Sequence, residues 1–156
     1  MGRRHQALTA EIAGLDIALR TLLGLAPAGF LARTGVGTRS AAALLITAGD
    51  NPCRLRTEAS FAALCGASPV DVSSGKQRRH RLNRGRDRQA NSALWRIVFT
   101  RIACDPRTQA CVARCTAEGK TTREMIRCLK RYVAREIYKA LTAHPGSPAT
   151  EISMIT

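Results

Sequence analysis

The sequence predicts a mainly α fold: a small helical domain with a helix-hairpin-helix-like element, a basic loop and a long C-terminal helix. Apolar residues recur three and four positions apart in several segments, which is the spacing of one helix face. Proline and glycine clusters separate these segments, as expected at helix ends. The 156 residues are 45% hydrophobic but only 4% aromatic. One domain therefore has enough apolar side chains for a core, built mainly from Leu, Ala, Ile and Val.

The N-terminal segment predicts a helix over residues 7–25, which begins near Thr9 and ends before Pro27. We interpret its apolar stripe as ordinary core packing. The alternatives are a domain-packing face or a coiled-coil seam, and such a seam would permit a homo-oligomer. We assign residues 1–28 to a connecting helix. The stripe consists of Leu8, Ile12, Leu15, Leu19, Leu22 and Leu23.

Gly35, Val36 and Gly37 form a turn between two apolar segments that we expect to be helical. Glycines permit a tight turn. The backbone N–H groups that open the next helix would then face a nucleic-acid phosphate, and Thr38 or Ser40 could cap the helix or assist them. This arrangement resembles a helix-hairpin-helix motif in which Gly35, Gly37 and Thr38 bind DNA. The alternative is an ordinary turn between two packed helices.

The middle of the chain carries a second set of signals. Thr57 can cap a short helix over residues 58–65, and Gly66 fits the end of that helix. Residues 67–72 are expected to be extended, as a short strand or hairpin. A further helix is predicted over residues 87–104, with Trp95 at the edge of its inner face.

The C-terminal part predicts a helix over residues 107–118 and a longer one over 121–142. Thr121 and Glu124 match a capping box that opens the longer helix. One face of that helix is apolar and the other is basic, the basic residues being Arg123, Arg127, Lys130, Arg131, Arg135 and Lys139. A solvated face is the ordinary explanation of such a stripe. With a net charge of +14, we expect Arg127 and Arg131 to support nucleic-acid binding.

The most charged stretch runs from Ser73 to Arg88. Between residues 76 and 88 it has seven Lys or Arg against one Asp, and Leu82 is its only apolar side chain. Such a loop cannot bury itself, and it suits a polyanion. The candidate DNA-binding residues in it are Lys76, Arg78, Arg79, Arg81, Arg84, Arg86 and Arg88.

Composition narrows the partner and the compartment. The net charge of +14 points first to nucleic acid, whereas a membrane surface would require an apolar helix face beside the basic residues. There is no apolar run of 18 residues, and the charged N-terminus does not resemble a signal peptide. We therefore expect a cytoplasmic protein that does not bind membranes, with six reduced cysteines.

No metal site or hydrolase triad is expected in this chain. Cys104, Cys111 and Cys115 include no CxxC pair and have no nearby His. The eleven Asp and Glu are scattered, whereas a two-metal nuclease brings several carboxylates together. A serine beside arginines can attack a phosphodiester. Composition alone favours a plain turn role for Ser73 and Ser74.

Four pieces of sequence together resemble the C-terminal domain of the transposases of insertion sequences 110, 116 and 902. They are the glycine hairpin, an F-A-x-x-x-G-x-x-P segment that begins at Phe61, the S-G-K turn at Ser74, and an R-G-x-x-R segment that begins at Arg84. The resemblance extends over residues 8–141, nearly the whole chain. It identifies residues 29–143 as the DNA-binding and recombinase domain, and residues 144–156 as a flexible tail.

The resemblance implies an RNA-guided DNA recombinase, in which a structured guide RNA is a partner beside DNA. In that family the C-terminal domain supplies a serine that becomes covalently joined to DNA. This serine maps to Ser74, or to Ser73 if the register slips by one. The family pairs this domain with an N-terminal RuvC-like domain that carries a DEDD set of carboxylates.

The sequence departs from the family in lacking that DEDD domain. A divalent metal would belong to the absent domain, so no cofactor is expected in this chain. We expect the chain to bind nucleic acid alone and not to carry out transposition alone. The alternatives are a stand-alone nucleic-acid-binding module without catalysis and a basic protein of the ribosomal or RNA-chaperone type.

Overall fold

A computed structural model describes residues 2–24, 26, 29–49, 55–68, 70–71, 80–81 and 86–143. The described residues form six helices: α1 (Gly2–Leu23), α2 (Thr38–Ala48), α3 (Glu58–Leu64), α4 (Arg88–Cys104), α5 (Pro106–Ala117) and α6 (Thr122–Thr142). Strands β1 (Val70–Asp71) and β2 (His80–Arg81) pair in an antiparallel sheet. This confirms the mainly α fold, the long C-terminal helix and the short hairpin expected after residue 67.

Helix α4 lies at the centre of the packing, in contact with α2, α5 and α6. Its inner face is buried, as the sequence predicted, and Leu94 and Ile97 are fully covered. Helix α6 adds Val133 and Ile137 to the same core, and α3 also packs against α6. Within the described part of the chain, no helix combines the length and the apolar character that a bilayer crossing needs.

Side-chain caps fix where the helices begin. Thr57 accepts a hydrogen bond from the Ser60 N–H and starts α3. Thr121 and Glu124 form the predicted capping box, with Glu124 accepting from the Thr121 N–H at 2.9 Å. Asp105 caps α5 directly after α4 ends. These starts agree with the sequence to within a residue or two because the capping bonds are local.

The interpretation of the N-terminal apolar stripe as core packing is wrong within this chain. Helix α1 buries only Leu23, at its last residue. Ile12 and Leu15 are 66% and 60% exposed. The helix also begins earlier than expected, at Gly2, and the Thr9 hydroxyl donates to the His5 carbonyl from inside it. Spacing identified an amphipathic helix correctly, but it carries no information about which surface covers the apolar face.

The segment before the glycine turn also differs from the prediction. Residues 29–35 form turns and bends and not a helix, so the turn joins an irregular segment to α2. Phe30 is nevertheless almost fully buried, with 1% of its surface exposed. The apolar character that suggested a helix therefore reflects core packing of an irregular segment.

Candidate nucleic-acid interface

The basic stretch is connected to the domain at two places. Its middle lies outside the described residues, so the predicted positions Ser73, Ser74, Lys76, Arg78, Arg79 and Arg84 have no structural description. Arg81 is described by its backbone, in β2, where it pairs with Val70. Asp71 pairs with His80, so these two residues, which are nine positions apart in sequence, lie side by side in the sheet. The last part of the stretch, Arg86 to Arg88, leads directly into α4.

Asn91 holds together the three helices beneath the end of this stretch. Its side-chain Nδ2 donates to the carbonyls of Cys65 and Gly66, at 2.9 and 3.1 Å, where α3 has just ended. Its Oδ1 accepts a hydrogen bond from Lys130 Nζ on α6, at 2.9 Å. A backbone bond from the Asp87 N–H to the Leu64 carbonyl adds to the connection. One partly buried amide therefore fixes the positions of α3, α4 and α6.

Gly66 is required where Arg86 and Asn91 approach the end of α3. Its φ of +66° lies in the left-handed region, where a side chain is strained. A Cβ at this position would lie 2.2 Å from Arg86 Cδ and 2.7 Å from Asn91 Nδ2. The glycine of the F-A-x-x-x-G segment thus allows the end of the basic stretch to pack on the core.

Lys130 corrects the prediction that the whole basic stripe of α6 faces solvent, because it is only 8% exposed. Burial lowers the pKa of Lys130, the nearby Arg86 lowers it further, and Cys65 opposes both effects. Burial, with a contribution from Asp87, raises the pKa of the Cys65 thiol to about 12, although Lys130 opposes the shift. Cys65 therefore stays a neutral thiol at physiological pH.

Asp87 fixes the start of α4 and the position of Arg88 beside it. One carboxylate oxygen accepts from the backbone N–H groups of Gln89 and Ala90, and the other accepts from the Thr47 hydroxyl at 2.8 Å. Burial raises the pKa of Asp87, but the hydrogen bonds from Thr47 and the two backbone groups outweigh it and lower the pKa overall. The carboxylate stays ionised and ties the end of α2 to the start of α4.

The remaining basic residues of α6 differ in how far their charge is neutralised. Arg131 donates to Ser68 Oγ at 2.6 Å and lies 3.2 Å from a carboxylate oxygen of Glu58. Arg135 pairs with the same carboxylate at 2.8 Å. Arg127 is exposed and forms no ion pair within the described ranges. Of the two predicted binding residues on this helix, Arg127 is the one whose charge stays available.

A shallow cleft of about 240 Å³ between α2 and α4, the α2–α4 cleft, brings Arg88 of the basic stretch together with two further arginines. Arg39 comes from α2, and Arg88 and Arg96 come from α4. Arg96 donates to Ser92 Oγ at 3.2 Å. None of the three pairs with a carboxylate among the described residues. Its lining is Arg39, Ala43, Arg88, Gln89, Ser92 and Arg96.

Sequence reasoning found Arg88 but missed Arg39 and Arg96. Two signals pointed to them: Arg39 follows the glycine turn at the start of α2, and Arg96 lies eight positions after Arg88 on one helical face. Neither signal brings α2 against α4, because that contact depends on the packing of helices that are distant in sequence.

The glycine turn packs against α4. A Cβ on Gly35, which has a φ of +78°, would lie 3.0 Å from the Ile97 carbonyl oxygen, so close packing explains this glycine. Gly37 has open space around it and precedes α2 as a cap without a side-chain hydrogen bond. Thr38 then opens α2. Thr38 is thus the sequence neighbour of Arg39, but none of the three predicted phosphate-binding residues is among those that line the α2–α4 cleft.

An ion-pair cluster holds the glycine turn in place. Arg101 Nε donates to the Thr34 carbonyl at 2.8 Å, and both Arg101 and Arg33 bind Glu136 on α6. The hydrogen bond from Arg101 lowers the pKa of Glu136, and the bond from Arg33 adds to this, against the opposing effect of burial. The turn is therefore attached to both α4 and α6.

Seven carboxylates of the described residues already have structural partners, whereas Glu11 is exposed on α1. Four of them form ion pairs with arginine or lysine: Asp16, Glu58, Glu118 and Glu136. Three others cap helices: Asp87, Asp105 and Glu124. Among these residues, no three His, Cys, Asp or Glu side chains come close enough to share a metal ion. This part of the chain does not fit the metal-binding carboxylate set that the family resemblance implies.

Two comparisons with known proteins agree with this picture. A family model described as "Transposase IS116/IS110/IS902 family" matches residues 30–113, which include the glycine turn, both cleft helices and the basic stretch. A 102-residue stretch is 33% identical to the "Insertion element IS110 uncharacterized 43.6 kDa protein" of Streptomyces coelicolor, covering 64% of this chain and 25% of that protein. The chain thus spans about a quarter of the length of this relative. Because the family model matches more than half of the chain, the resemblance inferred from the motifs is confirmed: the chain belongs to the IS116/IS110/IS902 transposase family.

Proposed function

We propose that this chain is the part of a transposase that holds DNA, and that Ser74, or Ser73 as the fallback, performs a serine-dependent strand transfer. The observation that carries the proposal is the attachment of the basic stretch at both ends. Its first part lies in sequence between the paired strands β1 and β2. Its last part leads into α4, where Asn91 is hydrogen-bonded to the Cys65 and Gly66 carbonyls. A loop that is anchored at both ends can hold several cations toward one backbone phosphate path.

The surrounding charges support DNA as the partner. Arg39, Arg88 and Arg96 line the α2–α4 cleft, and no carboxylate of the described residues neutralises them. Guanidinium groups bind phosphate oxygens in a bidentate way. Contacts of this kind fix the position of the backbone without reading bases, so target choice would come from elsewhere, and a structured guide RNA would supply it.

The proposed chemistry conserves the energy of a phosphodiester bond. The hydroxyl oxygen of Ser74 forms a bond to phosphorus while the bond from phosphorus to one deoxyribose oxygen breaks. The serine proton is transferred to the released deoxyribose oxygen, directly or through a base. A hydroxyl at the end of a second strand then attacks the serine ester and restores the serine. Cations beside the reacting phosphate stabilise the charge that develops there.

We propose that this activity needs a DEDD domain that the 156 residues do not supply. Seven of the described carboxylates are held in ion pairs and helix caps, and they cannot leave those partners without cost to the fold. Any divalent metal would belong to that other domain. We propose that the chain acts on its DNA substrate in the cytoplasm.

We also propose that α1 mediates association between copies of the chain. Its apolar residues, all exposed except the partly buried Leu19, alternate at spacings of four and three, which is the heptad repeat of a coiled coil. This face supports the homo-oligomer that the sequence permitted. The repeating positions are Leu8, Ile12, Leu15, Leu19 and Leu22.

The test of the serine uses the chain reconstituted with a DEDD domain of the same family and a labelled element end. Wild type is expected to form a DNA adduct that survives denaturing electrophoresis, and Ser74→Ala is expected to bind DNA equally well without forming it. Ser73→Ala is the matched control and keeps the adduct. An undiminished adduct in Ser74→Ala would exclude Ser74. DNA binding with no adduct in any variant would favour the binding module without catalysis.

A further inference from the structure

Helix α4 exposes a stacked pair of large aromatic side chains. The rings of Trp95 and Phe99 lie 5.2 Å apart between centroids, with 15° between their planes. The two side chains are 45% and 63% exposed, although the sequence placed Trp95 at the edge of the buried face. The other two phenylalanines, Phe30 and Phe61, are almost fully buried. In a chain with so few aromatics, an exposed stacked pair marks a surface that meets a partner.

The pair continues the α2–α4 cleft along one face of α4. Arg88, Ser92, Trp95, Arg96 and Phe99 follow one another at helical spacings, so they share a side of the helix. Arg88 and Arg96 line the cleft, and Arg96 is the sequence neighbour of Trp95. From Arg88 to Phe99 the face is on the order of 16 Å long at 1.5 Å per residue. Flat apolar rings and unpaired cations thus lie side by side over the length of a few nucleotides.

We propose that this face binds an unpaired segment of single-stranded DNA, with a base stacked on Trp95 and Phe99 and the neighbouring phosphates held by the cleft arginines. Aromatic rings bind any base through its π-face, and a positively charged groove follows the backbone. Bases in a duplex are already stacked on each other, so the rings would select strands that have been opened. The inference rests on the proposed function, since strand transfer exposes such segments, and it assigns the opened strand to a specific surface.

The choice of single-stranded DNA follows from charge and family together. Three arginines beside the rings complement a phosphate backbone, and the chain belongs to a transposase family. A purely apolar partner would leave these arginines without counter-charges. RNA shares the stacking chemistry, so an RNA arm in the experiment distinguishes the two nucleic acids.

Trp95 is the only tryptophan of the chain, so its fluorescence reports directly on this face. The full chain is titrated with a dT oligonucleotide of about 12 nucleotides, with a rU oligonucleotide of the same length and with a duplex. We expect dT to quench the fluorescence in a saturable way, and the duplex to bind with little quenching. Anisotropy of labelled dT then gives the affinity for variants that lack the tryptophan.

Variants of the aromatic residues test how much base stacking contributes to binding. Trp95→Ala and Phe99→Ala are expected to weaken dT binding by about 5- to 150-fold, because stacking on an aromatic contributes about 1–3 kcal/mol per base. Duplex binding should stay within about twofold. Trp95→Phe retains a ring and should keep most of the affinity. Tyr132→Ala is the matched control, since Tyr132 is 54% exposed on α6, away from the cleft.

Each outcome bears on the proposal. Wild-type dT affinity in both alanine variants, or dT binding that leaves Trp95 unquenched, overturns it. Quenching by rU with none by dT replaces single-stranded DNA with RNA as the ligand and overturns that assignment. Duplex binding accompanied by no binding of dT to the Trp95 face contradicts this inference and leaves the proposed function standing. Failure of all three nucleic acids to bind contradicts the proposed function as well.

Discussion

Replacing Gly66 with alanine tests how the basic stretch is anchored. Gly66 and Gly119 both have φ near +70°, at +66° and +73°, so alanine costs about 1–2 kcal/mol of backbone strain at either position. A Cβ at Gly119 meets nothing within 4 Å, which makes Gly119→Ala the matched control. At Gly66 the new Cβ also overlaps Arg86 and Asn91. The difference between the two variants isolates the cost of that overlap.

The expected loss of stability in Gly66→Ala follows from the side chains that the new Cβ displaces. Arg86 must shift, and Asn91 cannot move without weakening its bonds to the Cys65 and Gly66 carbonyls and to Lys130. Weakening partly buried hydrogen bonds of this kind costs about 1–3 kcal/mol. We therefore expect Gly66→Ala to lower the free energy of unfolding by about 2–5 kcal/mol, and Gly119→Ala by about 1–2 kcal/mol.

Urea denaturation followed by circular dichroism at 222 nm measures both variants. The unfolding slope should match that of wild type, so that the shift in midpoint reports stability. A second measurement is DNA affinity, which should fall only in Gly66→Ala because Arg86 is displaced. If Gly66→Ala is no less stable than Gly119→Ala, the anchoring role assigned to this contact is refuted.

Three further predictions concern other parts of the chain. Since burial raises the pKa of Cys65 to about 12, a thiol reagent at pH 8 should modify the exposed Cys128 quickly and Cys65 only after denaturation. Mass spectrometry maps the labelled positions, and rapid labelling of Cys65 would contradict its burial. The pKa of Glu136 is lowered in the folded state, so its contribution to stability is present above its unfolded pKa of about 4.3 and is lost as the pH falls through the folded pKa. The stability gap between wild type and Glu136→Gln, from urea midpoints between pH 7 and pH 3, should therefore narrow on acidification, and a constant gap would argue against the ion pair. Ile12→Glu, at a 66% exposed position of α1, should shift the chain toward monomer in analytical ultracentrifugation without loss of helix, and an unchanged mass would show that α1 does not mediate association.

Local signals account for what the sequence predicted well. Thr57, Thr121 and Glu124 each form the expected capping bond because the partners lie three residues apart. The inner face of α4 followed from apolar spacing in the same way. The family resemblance also rested on short motifs, and the family match covers them.

Long-range packing accounts for what the sequence did not show. Lys130 has the spacing of the basic stripe on α6, and only the position of Asn91 on another helix explains its burial. Arg39 and Arg96 form one cleft because α2 and α4 meet, a contact that neither segment encodes alone. The sequence predicted that Gly35 binds phosphate. In the structure a Cβ at this position would lie 3.0 Å from the Ile97 carbonyl oxygen, so packing against α4 explains the glycine. Each case depends on a residue that is far away in sequence.

The central claim is that the basic stretch holds DNA, and the salt dependence of duplex binding tests it most directly. Each phosphate contact contributes about 0.9 to the slope of log K against log salt. Arg78→Gln, Arg79→Gln and Arg84→Gln combined should reduce that slope by up to about 2.7, since three contacts are removed. The control is Arg135→Gln, because Arg135 is already paired with Glu58 and should leave the slope nearly unchanged. A steep slope that falls only in the triple variant is the predicted result, and an equal slope in wild type and triple variant would contradict the account.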